Sequence, residues 1–226
     1  MRSRAERRKD LAEARGVPQD AAEVDQTGRP APSIEADWGR PETDTLRFLA
    51  LEQLGNGLNE GAHYEDALSV DEARLSFLRR LGASEEDMLV MQGNLANSYE
   101  MLGRDEEALP IRRDVYSETL KSCGISHEGT RREASNYAAT LKDLKHFDEA
   151  KSLLQKTMPV ARRVLGASHA TTLRVRWIYA QTLYKDAAVT LDDLCEAVAT
   201  LEDVDRIAQR VLGPTNPTTA AIGRSL

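Results

Sequence analysis

Gly93-Asn94-Leu95-Ala96-Asn97-Ser98-Tyr99-Glu100-Met101-Leu102-Gly103-Arg104-Asp105-Glu106-Glu107-Ala108 is the stretch from which the fold can be read. Leu95, Ala96, Tyr99 and Leu102 lie on one helical face, Gly103-Arg104 interrupts the pattern, and Ala108, Ile111, Val115 and Tyr116 resume it. The spacing predicts two amphipathic helices joined by a tight turn. The same pattern returns as Tyr137, Ala138 and Leu141 before Ala150, Leu153 and Leu154, and again as Tyr179, Ala180 and Leu183 before Ala197, Leu201 and Val204.

Three ladders of small residues keep this register. Gly82, Gly124, Gly166 and Gly213 are separated by 42, 42 and 47 residues; Gly55, Ala96, Ala138 and Ala180 by 41, 42 and 42; Ala67, Ala108, Ala150 and Ala197 by 41, 42 and 47. Small side chains at these places let helix backbones approach, where leucine would overpack the crossing. The last unit carries five extra residues between Ala180 and Ala197, expected in one turn around Lys185–Asp193. One alanine-rich helix pair cannot cover its own apolar faces, so such units stack. The predicted fold is all-α, a right-handed α-solenoid of about four helix pairs plus a truncated final helix. Its units fall near 43–82, 83–124, 125–166 and 167–213, with a partial unit at 214–226, where the final helix is expected to be cut short by a fragment boundary or to serve as a short cap.

Helix ends carry matching signals. Arg79-Arg80-Leu81-Gly82, Arg162-Arg163-Val164-Leu165-Gly166 and Arg210-Val211-Leu212-Gly213 place cations at the negative helix end and glycine at a left-handed cap. Glu65-Asp66, Glu106-Glu107 and Asp148-Glu149 precede the second-helix alanines, where carboxylates favour the positive end of the dipole. Their recurrence in register reads as capping, not acid/base chemistry.

The 226 residues include 41% hydrophobic and 30% charged, with a formal net charge of -7. Residues 1–40 hold eight basic and eight acidic side chains, so the whole charge belongs to 41–226. Pro18, Pro30, Pro32 and the scarcity of large apolar residues make 1–40 an expected disordered leader, with Trp38 packing on the first helix. No apolar run approaches the length of a membrane span, and nothing apolar follows the first arginines as in a secretory signal. With two cysteines, Cys123 and Cys195, the chain reads as cytoplasmic, without a disulfide framework. The acidic balance argues against nucleic acid as a partner.

The opening stretch resembles a tetratricopeptide repeat. Gly124-Ile125-Ser126-His127-Glu128-Gly129-Thr130 and Gly166-Ala167-Ser168-His169-Ala170-Thr171-Thr172 resemble the junctions of the forty-two-residue repeats in kinesin light chains; Gly213 to Thr219 is a variant with Asn216 for the histidine. Kinesin light chains carry a long heptad coiled coil before their repeats, which the prolines of 1–40 exclude. The first junction, Gly82-Ala83-Ser84-Glu85, lacks the histidine.

Function is sought on the concave face of such a solenoid, on the first helix of each unit. Gln53, Asn94 and Asn136 occupy equivalent positions there, and Asn56, Asn97 and Gln181 a second set. Amides both donate and accept, so a row of them can bind an extended peptide backbone; the resemblance implies the same, since tetratricopeptide grooves are similar in using asparagines. Arg132 and Arg174 are equivalent and suit an acidic side chain or carboxyl terminus. Trp177 reads as interhelix packing, and His127 and His169 as helix-start or packing residues. No nucleophile elbow, phosphate loop or zincin helix is present. Cys123 and His127 make no zinc site, because Gly124 breaks the helix between them and four ligands are needed. The expected function is a non-catalytic scaffold binding a protein or peptide, with no cofactor, metal, membrane or small-molecule substrate. A cargo or assembly adaptor similar to kinesin light chains is the nearest alternative, and a helical enzyme subunit using Lys185, Asp186, Asp192 and Asp193 is a further one.

Overall fold

The structure, a computed structural model, describes residues 41–225. The expectations for the leader and for Trp38 lie outside the described residues. Contacts divide the chain between Leu49 and Ala50, inside the first helix. The helices are α1 (Pro41–Glu60), α2 (Tyr64–Leu81), α3 (Glu85–Met101), α4 (Asp105–Cys123), α5 (Glu128–Asp143), α6 (Phe147–Leu165), α7 (Ala170–Lys185), α8 (Leu191–Leu212) and α9 (Pro217–Gly223). Among the described residues there is no strand, and the architecture is an all-α repeat solenoid. From α2 onward each helix packs on the next, and α5 also packs on α7, the first helices of successive pairs.

The alanine ladders sit at these crossings. Ala67, Ala96, Ala108, Ala138, Ala150 and Ala180 are completely buried and Ala197 nearly so. In the C-terminal half the grooves around them are filled by Leu154, Val175, Ile178, Tyr179, Leu183 and Leu201. Leu173, Val204, Ala208 and Ile222 continue the core under α9. The N-terminal half differs, because a charge occupies the buried second-helix position. Asp71 and Arg112 stand where Leu154 and Leu201 stand in the later units, and all four are buried. Asp71 is satisfied by Arg74 Nη1 at 3.2 Å and by the Ser98 hydroxyl, which donates from α3 at 2.6 Å.

The junction glycines all have positive φ, but only Gly82 adopts the expected left-handed helical conformation, at φ 65 and ψ 38. Its Ala83 N–H reaches back to the Leu78 carbonyl at 3.1 Å, closing a Schellman motif. Gly124, Gly166 and Gly213 instead have φ of 75, 89 and 85 with ψ of 166, 163 and 160. This region is essentially closed to side chains. The extended ψ sends the chain directly into the next helix start, where His127 and His169 cap α5 and α7. Their Nδ1 atoms accept from the N–H groups of Gly129 and Thr171, each at 3.2 Å. Asn216 does the same for α9 with Oδ1, at 2.9 Å from Thr218 N. Ser84 supplies the cap where the histidine is missing.

Three-residue turns join the helices within the first three pairs. Each has one residue with left-handed φ, which is Ala62, Gly103 or Lys145. The five-residue insertion, expected in one turn, is instead shared between a turn and a helix. The fourth turn, 186–190, has two more residues than the others, and α8 begins three residues earlier relative to its ladder alanine. A capping box explains the early start: Thr190 accepts from Asp193 N at 3.1 Å and the Asp193 carboxylate accepts from Thr190 N. Asp193 is further fixed by Lys151 Nζ at 2.7 Å on α6. These hydrogen bonds, led by that from Lys151, lower its pKa to about 2.

Gly166→Ala is expected to lower the unfolding free energy by about 1–3 kcal/mol. Gly57→Ala, in a helix and with nothing within 4 Å of an added Cβ, is expected to raise it by about 0.5–1 kcal/mol. Urea midpoints with unchanged slopes check both signs. Because the folded pKa of Asp193 lies below the ordinary value of about 3.9, its contribution is complete above that value and is lost as the pH falls toward about 2. Unfolding midpoints measured from pH 5 to 2 are expected to fall less steeply in Asp193→Asn than in the natural chain.

Candidate functional site: a polar cleft on the first helices

One cleft of about 920 Å³ opens along the first helices of the second and third pairs. The α3 wall presents, in order, Glu85, Glu86, Leu89, Val90, Gly93, Asn94 and Asn97. Arg132, Glu133 and Asn136 of α5 form the facing wall, with His127 and Gly129 at the junction, and Arg174 comes from α7. The second helix α4 adds Arg112, Val115, Thr119, Ser122 and Cys123.

Arg112 holds the walls in place. It is 2% exposed, and its Nε and Nη2 reach the two oxygens of Glu100 at 2.9 and 2.6 Å. Nη1 donates to the Gly93 carbonyl at 3.2 Å, and Nη2 also donates to Asn97 Oδ1. The Thr140 hydroxyl of α5 donates to Glu100 at 2.5 Å, so one carboxylate links α3, α4 and α5. A bidentate guanidinium is suited to this because its planar fork offsets the cost of burying charge only when its donors find partners. Arg131, also buried, anchors the junction through the carbonyls of Ile125 and Ser126.

Five of the eight sequence-predicted residues meet in the cleft: Asn94, Asn97, Arg132, Asn136 and Arg174. Their amides are not equivalent. Asn97 is tied through its oxygen to Arg112, and Asn136 donates to Glu133 Oε2 at 3.2 Å. Among the described residues Asn94 makes no side-chain hydrogen bond. Arg132 donates to Glu133 Oε1 at 3.0 Å but stays largely exposed. Arg174 is accessible to solvent, yet burial, and after it the Arg112 charge, lowers its pKa from the usual value; Glu100 and Glu133 counter this. As an arginine it remains charged at neutral pH.

Gln53 and Asn56 lie exposed on α1, outside the cleft. Gln181 is also outside it, accepting from Lys142 Nζ at 3.2 Å and donating to Ser225 Oγ at 3.4 Å. Trp177 likewise donates to Ser225 Oγ, at 3.0 Å, and packs at the α7–α8–α9 contact. The residues that sequence reading missed are Arg112, Glu100, Glu133 and the acidic pair Glu85-Glu86. Arg112 did leave a signal, since a charge replaces leucine at one position of the repeat.

Residues 134–171 match the family model of the tetratricopeptide repeat. The fold is shared with solved kinesin light chain-like repeats. The nearly identical TPR-like repeats of a candidate kinesin light chain from Podosopora anserina align with a TM-score of 0.62 at 20% identity, over 78% of this chain and 82% of that one. A single-substitution form gives 0.64 at 20% identity, over 78% and 81%. BtubC (BKLC) from P. vanneervenii aligns at 0.60 with 17% identity, over 75% of this chain and 66% of that one. No curated protein matches the sequence significantly. At these identities the likeness is one of fold.

Removing the buried guanidinium alone, as in Arg112→Ala, is expected to cost about 3 kcal/mol, because Glu100 loses its counter-charge. Arg112→Leu combined with Glu100→Gln is expected to recover at least half of that loss, since leucine already fills the equivalent place in later units. A double-mutant cycle by chemical denaturation measures the coupling.

Proposed function

We propose that the chain is a non-catalytic interaction scaffold that binds an extended segment of a partner protein in the α3–α5 cleft. A tetratricopeptide-type solenoid is a protein-interaction fold, and the observation that carries the finer reading is the convergence of Asn94, Asn97 and Asn136 with Arg132 and Arg174 in one concavity. Asn94 offers a whole amide, while Asn97 and Asn136 keep one end each for a ligand once Arg112 and Glu133 have fixed the other. Pre-oriented amides lose little rotamer freedom on binding, which favours recognition of a peptide backbone.

Similarity to kinesin light chain-like repeats favours a second reading, in which the scaffold links a cargo or an assembly to another machine. Both readings put the protein in the cytoplasm, supported by free, exposed Cys123 and Cys195. Among the described residues no helix is long and apolar enough to cross a membrane. The junction histidines are occupied as helix caps, which supports a structural role for them over a catalytic one.

Tagged protein cross-linked in lysate and analysed by mass spectrometry tests the cleft. The expected result is cross-links from a specific partner to α3 and α5, with that partner lost in Asn94→Ala/Asn136→Ala at equal helicity. An unchanged partner set in the double variant would move binding to the convex face or the inserted turn.

A further inference from the structure

Gly93 has no structural reason to be glycine. It lies in the middle of α3 with ordinary helical φ, where glycine is the least favourable residue after proline. Beyond its chain neighbours and its own helix backbone, a Cβ built on it meets no heavy atom within 4 Å, so packing does not exclude a side chain. Its contact with Arg112 uses only the backbone carbonyl. The residues at the equivalent repeat positions, Glu52, Ser135 and Trp177, all carry side chains. The second pair alone leaves this place bare, and the bare surface lines the cleft.

Its surroundings define a ligand. Leu89 and Val90 lie one turn before Gly93, and Val90 is 55% exposed although it borders the cleft. Asn94 and Asn97 follow on the same helix. Glu86 stands seven residues before Gly93, about 10 Å along the helix axis at about 1.5 Å per residue. An extended peptide covers that distance in about three residues. The opposite charge, Arg174, enters from α7.

We propose that the bare surface at Gly93 is the specificity-determining subsite of the cleft: it receives one apolar side chain of an extended peptide whose basic flank faces Glu85 and Glu86 and whose acidic flank faces Arg174. The proposal rests on the peptide-binding reading of the cleft and names the chemistry of its ligand. Absence of a Cβ lets the partner side chain lie against the α3 backbone between Val90 and Asn94, while the neighbouring amides bind the partner backbone. Helix stability is sacrificed to keep that space open, which is the expected mark of a functional glycine.

The test uses a phage-displayed library of random dodecapeptides panned against the whole chain, followed by anisotropy titrations with one enriched synthetic peptide. Gly93→Ala is expected to melt about 2–4 °C higher and to bind several-fold more weakly. Gly93→Leu is expected to bind at least about tenfold more weakly, a difference near 1.4 kcal/mol. Replacing the peptide's apolar residue by alanine should weaken binding to the natural chain but add little to the loss in Gly93→Leu. If Gly93→Leu binds as tightly as the natural chain while Asn94→Ala/Asn136→Ala binds weakly, the subsite is wrong and the cleft reading stands. Enrichment of no peptide, or of peptides indifferent to both sets of variants, overturns the cleft reading and the subsite with it.

Discussion

Close approach of helix backbones at buried alanines is the constraint on which this solenoid depends. A two-helix unit has more apolar surface than it can cover, and the excess is hidden only if the next unit comes near enough to exclude water. Ala96, Ala138 and Ala180 on the first helices, and Ala108, Ala150 and Ala197 on the second, hold that distance from one unit to the next. The larger leucines, valines and tyrosines then interdigitate around each crossing. Everything else, including the cleft, is positioned by this regular stacking.

Within that regularity the two halves are stabilised by different physics. From the third pair onward, Leu154 and Leu201 fill the buried second-helix position and join one apolar cluster. Earlier, Asp71 and Arg112 occupy the same place, and their networks cross from helix to helix through Ser98, Glu100 and Thr140. Such charges add little net stability, because desolvation offsets most of the attraction. They do fix direction and distance. Arg112 pins Gly93, Asn97 and Glu100 together, so the polar wall of the cleft is set by the same side chain that fills the core.

The junctions explain how units with different sequences keep one geometry. Three of the four use glycine in a conformation closed to other residues, followed three residues later by a capping side chain. Histidine and asparagine interchange at the cap because each presents one acceptor at the right reach from its backbone. Serine can serve at the first junction, where the glycine is in the ordinary left-handed region and the chain closes with a Schellman motif. Where the fourth pair lengthens, a capping box and the Lys151–Asp193 ion pair restore order to the longer connection.

Spacing of small residues and polarity of helix ends determined the helices and their pairing, and the recurrence of His127 and His169 marked the repeat junctions, because these are local and periodic properties. Ala67 and Asp148-Glu149 could be placed from the repeat alone. Tertiary structure decided the rest, because it depends on which side chains from different units meet. It brought Asn94, Asn97 and Asn136 into one cleft while leaving Gln53 and Asn56 outside and committing Gln181 to Ser225. It also divided the insertion between turn and helix, since a capping box supplied enough hydrogen bonds to begin α8 early. Periodicity predicts equivalence among repeats. The cleft arises from inequivalence, from an arginine where the later units have leucine and a glycine where others have side chains, and only packing shows what surrounds such exceptions.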